Sequence, residues 1–202
     1  MSICRLAAPA LLLALAACGS LERPPVAATP DAVAQGPAEG GKFIAFVGPR
    51  RQHAEAFLGV PGTNFYLLRS WLDTRSGERL SQLYVEDSYV GAERHYDSAR
   101  DGDGQALKFV PISANEIACE NGACSYAEEF GATLPDALLR AHAQGLAVTF
   151  AAKSGPELTI AVPGDLIQKQ LAAVDAGRAA LPATTAAAPP SAEPPPVAAP
   201  LR

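Results

Sequence analysis

The placement of the aromatic residues decides how much of this chain can fold. All thirteen lie between Phe43 and Phe150, whereas twelve of the eighteen prolines lie outside residues 42–178. The flanks therefore lack the ring area that stabilises a core, and their prolines withhold backbone donors. One domain of about 135 residues follows, large enough to bury roughly two thirds of its unfolded surface. The chain carries 16 basic residues and a net charge of −5. That balance gives no basic stripe of the kind nucleic acid requires. No polytopic membrane pattern is present.

The first residues carry an address. Arg5 precedes an apolar run from Leu6 to Ala17, too short to span a bilayer of about 30 Å and the right length for a signal-peptide core. The run ends in Leu15-Ala16-Ala17-Cys18-Gly19, which resembles the lipobox of bacterial lipoproteins. The resemblance implies removal of residues 1–17, a thioether-linked diacylglyceryl group on Cys18, and acylation (typically with palmitate) of its new amine. Each buried methylene contributes about 0.8 kcal/mol, so two or three chains hold a protein firmly. Gly19 stands where retention in the inner membrane would favour Asp, which implies the periplasmic face of the outer membrane. The alternative is an ordinary secretory peptide cleaved after Ala16 or Ala17.

With Cys4 removed and Cys18 lipidated, Cys119 and Cys124 remain. They flank Asn121-Gly122, the strongest short hairpin signal, because a type I′ turn needs positive φ at both central residues. In that register Glu120 faces Ala123, and Cys119 faces Cys124 in a non-hydrogen-bonded pair with Cα atoms about 4.5 Å apart, the lower edge of disulfide range. An oxidising periplasm would close the bond. A CxxxxC metal site would need further His or Cys ligands to complete a tetrahedral shell, and a redox pair would favour CxxC spacing. The structural disulfide is the better reading, and no metal or other cofactor is expected.

Residues 18–41 read as the lipidated cysteine and a Pro/Ala/Gly-rich tether, roughly 25 Å as a coil and up to about 70 Å as polyproline II. Residues 179–202, with Pro189-Pro190 and Pro194-Pro195-Pro196, read as a disordered tail. Between them, residues 42–178 show mostly period-2 patterning. Strands are expected at 43–47, 64–72, 78–86, 92–98, 107–112, 116–120, 123–128, 146–152 and 157–162. Gly77 suits the left-handed position closing the 73–77 loop. Helices are expected at 136–144, after Pro135 and before Gly145, and at 164–176, where Ile167, Leu171 and Val174 share a face. Residues 50–57 fit either a short helix or a loop. The fold class is mainly β (α+β): an antiparallel sandwich-like or half-barrel sheet with two short helices in the C-terminal half.

The segments Phe65–Asp73, Gly77-Glu78, Gln82–Val85, Cys119…Tyr126 and Leu134–Leu139 resemble a family of small, uncharacterised proteobacterial envelope proteins, over roughly residues 63–175. The resemblance implies secretion and a shared fold, and carries no activity.

Residues that bear chemistry do not form a coherent set. His142 lies at a helix C-terminus, where a cation is favoured. His95 alternates with Asp97 and Ser98 along a strand, and neighbouring strand residues point to opposite faces. The acidic run Asp97 to Gly104 resembles part of a calcium loop, but the position for a bidentate acid holds Lys108. Turn formation explains its Asp and Gly residues. The sequential pairs Glu86-Asp87 and Glu128-Glu129 are likewise split by strand alternation. Arg69, Trp71, Tyr84 and Tyr89 form a candidate binding surface for glycan or peptide. Should Phe65, Leu67, Arg69 and Trp71 share a face, the arginine marks that face as a cleft, although a core role is commoner for a lone Trp.

These readings converge on an outer-membrane-anchored periplasmic lipoprotein that serves as a non-enzymatic structural or binding module. Its expected partners are the bilayer, through acylated Cys18, and an envelope protein or peptidoglycan. The alternative is a periplasmic hydrolase or accessory factor acting on cell-wall material.

Overall fold

A computed structural model describes residues 31–182; the expected signal peptide, Cys18, most of the expected tether and the expected tail from residue 183 onward lie outside the described residues. Eleven strands and two α-helices follow in order: β1 (Ala34–Ala38), β2 (Phe43–Val47), β3 (Arg51–Gln52), β4 (Phe65–Asp73), β5 (Arg79–Val90), β6 (Tyr96–Asp101), β7 (Ala106–Leu107), β8 (Phe109–Glu120), β9 (Ala123–Leu134), α1 (Asp136–Ala141), β10 (Gly145–Ala152), β11 (Leu158–Pro163) and α2 (Gly164–Ala179). A seven-stranded antiparallel sheet runs β1-β2-β4-β5-β9-β8, with β3 also on β4; a four-stranded sheet runs β11-β10-β6-β7. The sheets do not close, so the molecule is the mainly β, sandwich-like architecture that the period-2 pattern predicts.

Alternation along β4 and β5 assigns the faces. Tyr66 and Leu68 of β4, with Leu83 and Val85 of β5, point inward and cluster with Phe130, Ala132 and Leu134 of β9 and Val148, Phe150, Ile160 and Val162 of the smaller sheet. Leu72 of β4 packs with Phe46 and Val174 in a second cluster. Phe130 is the hub: its ring centre lies 4.3 Å from that of Tyr96 and 4.9 Å from that of Phe150, the latter edge-on. Helix α2 covers the rest of the inner face with Leu166, Ile167 and Val174. Between these apolar residues sits Gln170, fully buried, whose amide donates to the Phe46 carbonyl (3.2 Å) and to Ser70 Oγ (2.9 Å).

Several boundaries differ from the sequence expectation. Residues 34–38, read as tether, form edge strand β1, paired with β2 from Ala34↔Val47 to Ala38↔Phe43. Pairing supplies the order that their Pro/Gly content withholds. The expected strands 107–112 and 116–120 are one strand, β8, with irregularities between Pro111 and Ser113 and between Glu116 and Ala118. Each leaves one isoleucine, Ile112 or Ile117, as the extra residue of a bulge, a common way to blunt an edge. The expected strand 92–98 begins only at Tyr96, and α1 ends at Ala141. Residues 50–57 hold β3, a bend and the start of the 3₁₀ turn Phe57–Gly59.

The disulfide hairpin has the expected register. Glu120 faces Ala123 and Cys119 faces Cys124, Asn121 and Gly122 have φ of 51° and 81°, and the two cysteines are joined with Cα atoms 4.0 Å apart.

Candidate functional site

The outer face of the seven-stranded sheet carries the opposite alternation: Arg69 and Trp71 of β4, Leu80, Gln82 and Tyr84 of β5, and Thr133 of β9. With Phe43 of β2 and Val110 of β8 at its sides, this face holds a groove of about 780 Å³. Trp71 lies there and not in the core, which corrects the expectation drawn from the usual place of a single Trp. The arginine decides it. A guanidinium at position 69 cannot be buried unpaired, so its face stays open to solvent, and Trp71 is carried with it.

Arg69 is held in one orientation. Its guanidinium carbon lies 5.1 Å from the Trp71 ring centre and 4.7 Å from that of Tyr84, and its Nε donates to Gln82 Oε1 at 2.6 Å. Burial pulls the guanidinium pKa below its ordinary value, opposed by the nearby Tyr84 and Glu129. Burial also pushes the Tyr84 phenol up to about 12, reinforced by Glu129. The arginine's hydrogen-bond partner is thus an amide, and its charge is balanced only through space. Gly131 keeps the floor flat: a Cβ there would lie 2.5 Å from the Leu83 carbonyl and 3.0 Å from the Gln82 side chain. The groove is lined by the Trp71 and Phe43 rings, by Leu80 and Val110, and by a partly desolvated Arg69, with Glu39, Asp73, Glu78, Arg79 and Lys108 also in its lining. It suits a ligand with a flat or apolar body and an anionic or carbonyl oxygen placed at Arg69.

Tyr89 does not belong to this surface. It follows Tyr84 by five residues, so alternation turns it to the inner face, where it is 6 % exposed. There it joins a buried polar cluster that strand-by-strand reading misses. Asp87 and Glu128 stand opposite each other across β5 and β9, 5 % and 4 % exposed. Glu128 accepts the backbone N–H groups of Arg94, His95 and Tyr96 (3.2, 3.0 and 3.1 Å) and the Tyr89 hydroxyl. Asp87 accepts from Arg94 Nη1 (2.6 Å) and the Tyr96 hydroxyl (3.0 Å), and the Arg94 guanidinium lies 3.9 Å from the Tyr89 ring centre. On the other face Glu86 accepts the Asn64 N–H and the Ser88 hydroxyl. Both acidic pairs are split as expected; what sequence alone lacked was the register that sets Asp87 against Glu128. These contacts occupy the carboxylates in holding the Val90–Tyr96 connection.

The histidines lie apart from one another, and the His53 ring borders the buried cluster, its Nε2 3.9 Å from Asp87 Oδ1. His53 Nε2 is 2.8 Å from the Glu86 carbonyl, His142 Nδ1 is 3.1 Å from that of Leu138, and His95 is exposed with φ of 55° beside Glu93. In the acidic run, Asp101 is buried and accepts the N–H groups of Asp103 (3.0 Å) and Gln105 (2.8 Å), so it builds the turn. Glu116 lies within 4.8 Å of Cys119 and Cys124, whose sulfurs are engaged in the disulfide. Among the described residues, no helix is long and apolar enough to cross a membrane. The chain matches no protein-family model, no curated protein and no solved structure.

Proposed function

We propose that this chain is an outer-membrane-anchored periplasmic lipoprotein whose β domain is a non-enzymatic binding module of the cell envelope, with the Arg69–Trp71 groove, flanked by Tyr84, as its binding surface. The arrangement of Arg69 between two rings supports this most directly. It leaves a partly desolvated cation and half-buried ring surface on a sheet face that the core does not use. The lipobox at Cys18 supports the anchor, and the hairpin disulfide suits an oxidising compartment.

Two measurements test the reading. Replacing Cys18 by Ser should move the protein from the membrane to the soluble fraction of the cell envelope; full membrane retention would refute the anchor. Cross-linking in intact cells should recover a reproducible envelope protein or peptidoglycan adduct from the native chain. Trp71→Ala should cut that yield about tenfold, the effect expected of a hot-spot aromatic. An unchanged yield would remove the groove from the proposal.

A further inference from the structure

We infer that the apolar turn at Phe57–Val60 is a second membrane contact, through which the domain rests on the phospholipid surface beside its anchor. This rests on the lipid-anchor reading only for the presence of a bilayer nearby.

Residues 56–68 contain no charged side chain, and the turn at their start displays its apolar groups. Leu58 is 80 % exposed and Val60 52 %, the former the most exposed large apolar residue among those described. Leu58 is also held in the left-handed region, at φ 49° and ψ 29°. A leucine there costs free energy that glycine would not, and an exposed side chain returns little of that cost within the fold.

The surroundings enforce the display. Thr63 Oγ1 accepts the Phe57 N–H and donates to the Val60 carbonyl, both at 2.8 Å. The N–H groups of Gly59 and Val60 bond back to Ala56 and Phe57, and the Asn64 amide donates to the Glu55 carbonyl at 2.8 Å. A backbone outlier fixed from several sides, carrying exposed apolar groups, is the kind of strain that marks contact sites.

The path of the chain identifies the occupant. Asp31 follows Cys18 by thirteen positions, a reach of at most about 45 Å when fully extended. Asp31 is fastened to Arg51 of β3 and, at 2.5 Å, to Lys169 of α2. β3 leads into the turn within five residues, so the leash and the turn leave the same end of the fold. Arg50 stands at the base, its guanidinium 4.3 Å from the Phe65 ring centre and Nη1 beside Gly62. A cation under an apolar tip matches lipid phosphates over acyl chains. The Trp71 end of β4 lies about 20 Å further along the strand, so this pose turns the groove toward the periplasm.

The test tethers the chain without relying on acylation. A protein starting at residue 19, with a hexahistidine segment in place of the lipidated Cys18, is held on phosphatidylethanolamine/phosphatidylglycerol vesicles doped with nickel-chelating lipid. It carries an environment-sensitive fluorophore on Leu58→Cys or, as a control at the opposite end of β4, on Ser76→Cys. The label at 58 should brighten at least twofold and be quenched by headgroup-proximal spin-labelled lipid, and the label at 76 should do neither. In a separate arm, Leu58→Gly with the label on Val60→Cys should lose most of that quenching while its Tm holds or rises. Equal emission at position 58 on vesicles and in solution would overturn the inference, as would a shift that follows protein concentration without vesicles, which would mean self-association. Failure of the Cys18→Ser fractionation would strike the anchor reading alone.

Discussion

The phenol of Tyr89, on β5, donates to the carboxylate of Glu128, on β9, beneath the connection from Val90 to Tyr96. That carboxylate also collects three consecutive backbone N–H groups, so one buried side chain does for this loop what a strand partner would do for a ladder. Glu128→Ala should therefore lower stability by about 3 kcal/mol, the cost of leaving several buried donors unpaired. Tyr89→Phe should cost about 1 kcal/mol, since only one hydrogen bond is lost. Urea denaturation curves give both values, and hydrogen exchange at Arg94 to Tyr96 should accelerate in the first variant and much less in the second.

The entry of the chain is sensitive to acid. Hydrogen bonds from Lys169 and Arg51 hold the Asp31 carboxyl at about 2, from an ordinary 3.8. A depressed carboxyl stabilises the fold above its unfolded pKa, and the contribution is lost as pH falls through the folded value. The stability advantage of the native chain over Asp31→Asn should be full above about pH 4–5 and should vanish by about pH 2. Melting temperatures of the two chains across that range measure it; a constant difference would contradict the assignment.

Gly177 sits on the inner face of α2, where a Cβ would come within 2.5 Å of Phe46 Cζ, and Phe46 is fully buried. An alanine in a helix interior ordinarily gains up to about 1 kcal/mol over glycine. Here the ring has nowhere to go, and overpacking costs about 1–3 kcal/mol. Gly177→Ala should therefore be net destabilising, by about 1 kcal/mol or more in thermal unfolding. The partner change Phe46→Leu should restore much of the loss.

Cys119 and Cys124 are five residues apart, so the disulfide constrains only a short loop. Reducing it should cost about 2 kcal/mol and leave the domain folded, since Asn121 and Gly122 shape the turn on their own. The mature protein should show no labelled thiol without reductant. Circular dichroism of the Cys119→Ser/Cys124→Ser double variant should keep its strand signal.

The hairpin, the mainly β class and the two C-terminal helices were legible in the chain, because turn chemistry and side-chain period are local properties. The presence of Arg69 beside Trp71 marked a cleft for the same reason. Strand alternation separated Glu86 from Asp87, and applied over five more residues it also separates Tyr84 from Tyr89. Only pairing brought Asp87 opposite Glu128, drew residues 34–38 into the sheet and merged two short strands into a bulged β8, since each depends on residues far along the chain. The left-handed backbone at Leu58 was likewise beyond local reading. Leucine does not choose that conformation; the hydrogen bonds of Thr63 and Asn64 hold it there, and they exist only once β4 has found its place.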